Sequence, residues 1–82
     1  MELTERQRRI YALLPKDQIT YELDWLCAFY RKRNFKEVPL ENRDRFFGDV
    51  VQLAIEGFVV RSVSAEGNQY ERTDKKLPRR RA

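Results

Sequence analysis

Apolar positions along the chain recur at helical spacing three times, then switch near the end to the alternation of short strands. Leu3, Gln7, Ile10 and Leu14, with Leu13 beside them, fall on one face of a first helix. Thr4-Glu5-Arg6-Gln7 has the capping-box form, in which two side chains satisfy the first free amides. Pro15 ends the helix, because a residue before proline resists the α conformation, and "PKDQ" is a turn. Ile19, Leu23, Leu26, Cys27 and Tyr30 make one face of a second helix, with Thr20 as its N-cap. Tyr21, Trp25 and Phe29 make a second stripe nearly opposite. A helix apolar on two sides must bury both or offer one to a partner. It runs out in Arg31-Lys32-Arg33-Asn34, cations that suit the negative end of its dipole.

"FKEVPLE" is a connector in which Pro39 holds Val38 extended. A third helix is expected from Glu41 or Asn42. Phe46, Val50, Leu53 and Ala54 form its core face, Phe47 and Val51 flank it, and Gly57 is its C-cap. Residues 58–63 are rich in β-branched side chains and predict a strand. Turn formers fill 64–68, and 69–73 return as a second strand. A two-stranded hairpin is marginal by itself, so it must lean on the helices.

Composition narrows the chemistry. Eighty-two residues make one small domain, 41% hydrophobic and 37% charged, with no apolar run of membrane-spanning length and no signal peptide. The expected setting is cytoplasmic, and Met1 with the charged tail is expected of a free-standing protein. Cys27 is the single cysteine, so no intramolecular disulfide forms and it is read as a small core hydrophobe. The chain has no histidine and no Gly-rich phosphate loop, so zinc-finger, His-based catalytic and phosphate-loop readings fail. No enzyme, cofactor or metal site is expected. The net charge of +4 is misleading, since residues 1–74 hold twelve Lys/Arg against thirteen Asp/Glu. The whole positive excess lies in "KKLPRRRA", 75–82, read as a disordered basic tail. Any nucleic-acid face on the body must therefore be a local patch.

"LTERQRRIYALLP" (3–15), "VVQLAIEGFVVR" (50–61) and "YERTD" (70–74) resemble the opening helix, the helix-to-wing passage and the closing strand of winged helix-turn-helix regulators. The resemblance covers residues 3–74. It implies a mainly α domain with a small β-hairpin: three helices plus a two-stranded wing, with Phe58 and Val60 inward, Val59, Arg61 and Val63 outward, and Gly67-Asn68 at the tip. It further implies DNA binding, with the third helix in the major groove and the wing on phosphates. By position, the groove-facing candidates are Asn42, Arg43, Arg45, Gly48, Asp49 and Gln52. Those on the wing are Arg61, Asn68, Gln69 and Arg72. Lys75, Lys76, Arg79, Arg80 and Arg81 would add salt-sensitive contacts with the DNA backbone.

Each of these has a plainer reading. The third helix's expected outer stripe of Glu41, Arg45, Asp49, Gln52 and Glu56 sets three carboxylates against one arginine, as a solvated face does. Arg61 and Arg72 have Glu66 and Glu71 within reach across the hairpin, "RKRNFK" (31–36) completes a helix end, and Arg6, Arg8 and Arg9 are expected in solvent. Tyr21, Trp25 and Phe29 are either covered by other segments or an exposed patch for a second copy or another partner. Two functions follow. One is a dimeric regulator or replication-associated factor on duplex DNA, nucleoid-associated in the cytoplasm. The alternative is a protein-interaction module, a complex subunit or inhibitor of a nucleoprotein machine, using the Tyr21/Trp25/Phe29 stripe and the acidic third-helix face.

Overall fold

In the computed structural model, which describes residues 2–77, three helices and a three-stranded antiparallel sheet enclose one interior. The order is α1 (Glu5–Ala12), β1 (Thr20–Tyr21), α2 (Glu22–Tyr30), α3 (Leu40–Ile55), β2 (Val59–Ser64) and β3 (Gly67–Arg72). A single 3₁₀ turn, Phe35–Glu37, lies between α2 and α3. The helix α1 starts as its sequence dictates: Gln7 N donates to Thr4 Oγ1 (3.0 Å) and Thr4 N to Gln7 Oε1 (2.9 Å). It ends at Ala12, leaving Leu14 buried and Leu13 exposed before Pro15.

The expected two-stranded hairpin is a three-stranded sheet. Thr20 does not cap α2; it pairs with Tyr70, while Tyr21 pairs with Gln69 and takes the N-cap position without a side-chain capping bond. The strand order is β1-β3-β2, so β3 is central. A short N-terminal strand thus covers an edge the hairpin would otherwise expose, and it fixes the ribbon to the start of α2.

The expected faces of α2 are also corrected. Ile19 and Leu23, placed on a core face, are exposed, whereas Trp25 is 1% exposed and lies at the centre of the core. Its ring meets Phe46 edge-on at 5.5 Å and Tyr70 at 5.4 Å, and its indole N–H donates to Ile10 O (2.8 Å). Leu26 is buried beside it, with Phe29 and Tyr30 half-buried on the next turn. The buried surface therefore runs between the two stripes that spacing alone had separated.

The connector is built by Asn34 and Glu37. Lys36 N donates to Asn34 Oδ1 (2.9 Å), and Glu37 Oε2 accepts from Asn34 N (3.0 Å) and Arg33 N (3.1 Å). Val38 then plugs the core, and α3 begins at Leu40, just ahead of the expected start. Phe46, Val50 and Leu53 are its buried face. At its end Gly57 takes φ +83°, the left-handed conformation that glycine tolerates, and Phe58 N still reaches back to Leu53 O (2.9 Å).

That last bond inverts the expected strand facing. Phe58 belongs to the helix exit, so alternation starts at Val59: Phe58 and Val59 are both buried, and Val60 is 58% exposed. Cross-strand pairing puts Val59, Arg61, Val63, Asn68, Tyr70 and Arg72 on the sheet face turned towards the helices. The turn is tighter than expected, β2 ending at Ser64 and β3 beginning at Gly67 (φ +117°).

Candidate functional site

Three of the groove-facing candidates, Arg43, Asp49 and Gln52, have side chains engaged within the chain. Arg6, expected in solvent, donates from Nε to Asp49 Oδ2 (2.6 Å) and from Nη2 to the Tyr30 hydroxyl (2.6 Å), with its guanidinium 5.0 Å from the Phe29 ring centre. Gln7 Nε2 donates to the other Asp49 oxygen (3.2 Å), and Tyr30 OH donates to Asn42 O (2.9 Å). The Asp49 carboxylate and the Asn42 main chain thus join α1, α2 and α3. Arg43 donates from Nε to Val38 O (2.8 Å) and stacks on Phe35 at 5.4 Å. Gln52 donates to Glu56 Oε1 (3.2 Å) along the helix.

The hairpin candidates divide the same way. Arg72 pairs with neither Glu66 nor Glu71. Its guanidinium lies 4.4 Å from the Tyr11 ring centre, and Nη2 donates to Tyr11 O (3.1 Å) and Ala12 O (3.4 Å). A cation is thereby placed on the carbonyl end of α1, where the dipole is negative. Asn68 Nδ2 donates to Glu22 Oε2 (3.2 Å), as does the Tyr70 hydroxyl (2.9 Å), so both hold the first turn of α2. Burial, then the bond to Glu22, pushes the Tyr70 phenol well above its ordinary range. Ser62 Oγ donates to Gln69 Oε1 (3.3 Å) on the outward sheet face.

Several cations remain open to a polyanion. Arg45 and Arg61 are exposed and make no hydrogen bond or ion pair among the described residues. Lys75 donates to Glu56 O and lies 4.6 Å from the Phe58 ring centre, and Lys76 is exposed. Arg79, Arg80 and Arg81 lie outside the described residues. Arg31, Lys32, Arg33 and Lys36 of the connector are exposed, a cation group the position-by-position assignment passed over.

The outer face of α3 is of a different character. Leu40 is 70% exposed, Val51 53% and Ile55 71%, and the exposed Glu41, Asp44 and Gly48 share that side. Asp44, Gly48, Val51 and Ile55 follow one another at i, i+4, i+7 and i+11, a straight stripe down the helix. Spacing alone had shifted this stripe by one position, to Glu41, Arg45, Asp49 and Gln52; Asp49, half-buried and paired with Arg6, lies on the covered side instead. The signal that would have found it is Ile55, a large aliphatic with no place on the Phe46–Val50–Leu53 face.

The other partner stripe fails as a surface. Trp25 is core, while Tyr21 and Phe29 are half-buried, Phe29 beneath Arg6 and Arg9. Cys27 is half-buried, and burial, with Asp24 and Glu37 adding to it, pushes its thiol up, which keeps it protonated and weakly nucleophilic. Among the described residues no group of three or more His, Cys, Asp or Glu is placed to hold a metal ion. No described helix is long and apolar enough to cross a membrane. The chain matches no protein-family model, no curated protein and no solved structure.

Proposed function

We propose that this chain is a winged-helix module that binds protein, with the outer face of α3 as its working surface. The observation that carries the reading is the exposure of Val51 and Ile55 at 53% and 71%, in a stripe edged by Glu41 and Asp44. Soluble domains seldom leave adjacent large aliphatics open on one helix without a use for them. Carboxylates at the start of the same helix would be costly against phosphates, and the side chains of Arg43, Asp49 and Gln52 are engaged within the chain, which leaves Arg45 as the exposed cation on that helix. The helix order, with a short strand before α2 and a hairpin after α3, supports the winged-helix plan.

The second reading, duplex DNA binding, is favoured by the exposed Arg31, Lys32, Arg33 and Lys36 just ahead of α3, together with Arg45 and Arg61. A salt titration against random duplex separates the two. Five tail cations allow a log–log salt slope no steeper than about −4.5. We expect residues 1–74 to lose this affinity entirely. Salt-sensitive duplex binding that persists in 1–74 would overturn the module reading in favour of DNA.

A further inference from the structure

We infer that the partner on α3 is a second copy of the chain, paired helix against helix in antiparallel orientation. The inference rests on the module reading and names the occupant of its surface. Asp44, Gly48, Val51 and Ile55 have the spacing of a seam between two helices. Gly48 lies open in that seam: a Cβ built on it meets nothing within 4 Å, so the isolated chain gives no packing reason for glycine there. In the interior of a helix glycine is otherwise a liability. A close approach from outside accounts for it.

The same helix carries what would fill the notch. If a two-fold axis crosses α3 just after Val51, Ile55 of each copy lies against Gly48 of the other, and the two Val51 side chains meet at the axis. A two-fold pairing of antiparallel helices brings like flanks together. Arg45 and Glu56 stand on one flank, so Arg45 comes within about one turn of the partner's Glu56, and the reverse pair forms by symmetry. Among the described residues Arg45 makes no ion pair, and the Glu56 carboxylate accepts from neutral Gln52 and pairs with no cation. Size and charge are both self-complementary on one sixteen-residue helix and its C-cap Glu56, which a basic or apolar foreign partner would match only in part. The contact closes on itself and leaves no open edge. A single helix pair of about 24 Å makes a small interface, so the association is reversible and concentration-dependent.

Light scattering and sedimentation of the full chain, from low micromolar to near-millimolar, test this. The mass is expected to double with concentration. Ile55→Glu should weaken pairing by roughly thirtyfold or more, since a buried anchor becomes a charge. Gly48→Ala should weaken pairing by about tenfold while raising the melting temperature of the dilute monomer, because alanine is the better helix former. A merely structural glycine would not separate those two readouts. Arg45→Glu should weaken pairing several-fold, and Arg45→Glu with Glu56→Arg should recover it. Circular dichroism of each variant confirms the fold. A wild type that stays monomeric throughout, or a dimer indifferent to Ile55→Glu, overturns self-pairing. Such a result leaves the module reading standing for another partner, whereas duplex binding by 1–74 removes that reading whatever the mass.

Discussion

The second and third helices carry the same surplus and dispose of it in opposite ways. Both have more apolar side chains than a single buried stripe needs. On α2 the surplus is enclosed: Trp25 and Leu26 are buried, and Phe29 and Tyr30 are covered by α1 and by each other at 5.0 Å. On α3 the inner row of Phe46, Val50 and Leu53 completes the core, and Val51 and Ile55 stay outside. The difference arises from neighbours. Helix α2 lies between α1, the sheet and α3, while α3 is an outer element with one face to offer. An apolar excess in a sequence therefore marks a surface only once every other element has taken its place.

Breaking the α2 side should have the largest effect. Trp25→Ala removes the side chain that joins Ile10, Phe46 and Tyr70, and is expected to cost about 3–5 kcal/mol in chemical denaturation, enough to unfold a domain this small. A loss below about 1 kcal/mol would mean Trp25 is not the centre of the core.

The Arg6–Asp49 junction sharpens the contrast from the other flank of α3. Asp49→Ala leaves Arg6 and Gln7 without their shared acceptor, and should cost about 1–2 kcal/mol with no gain in duplex affinity. A near-neutral change in stability with stronger DNA binding would return Asp49 to the groove-facing surface.

The Tyr70–Glu22 bond makes a pH prediction. Tyr70 is held protonated in the fold, so its folded pKa exceeds the unfolded value of about 10. Its contribution is fully present below about pH 10 and is lost as pH rises beyond it, because the unfolded chain releases the proton first. Tyr70→Phe should flatten the alkaline fall in stability measured by urea titration; an unchanged slope would assign that fall to other groups. The smallest effect on folding belongs to α3's outer face: Ile55→Glu should change monomer stability by no more than about 0.5 kcal/mol. A larger loss would mean that Ile55 is covered within its own chain.

Much of the local architecture was legible because its causes are local. The Thr4–Gln7 capping box, the stop before Pro15, the Phe46–Val50–Leu53 face and the left-handed Gly57 all stand as read. The errors have a common origin in contacts between distant segments. Thr20 looks like a cap until Tyr70, fifty residues on, pairs with it. Val60 looks inward until Phe58 is seen to remain bonded to the helix behind it. Arg72 and Asn68 look like phosphate ligands, yet the C-terminal end of α1 and Glu22 claim them first. The candidate site suffered most, since a polar side chain advertises the same hydrogen-bonding capacity whether its acceptor is a base, a phosphate or the next helix.

The sequence by itself settled the capping box of α1, the Phe46–Val50–Leu53 row of α3 and its glycine exit, and that the positive excess belongs to the last eight residues, because spacing, caps and composition act within a few positions of one another. Tertiary structure alone decided which arginines are free, which way α2 and α3 are rotated, and that Val51 and Ile55 face solvent. Those outcomes depend on which groups from separate parts of the chain reach each other first, and a buried polar group that finds a partner at home has none left to offer outside.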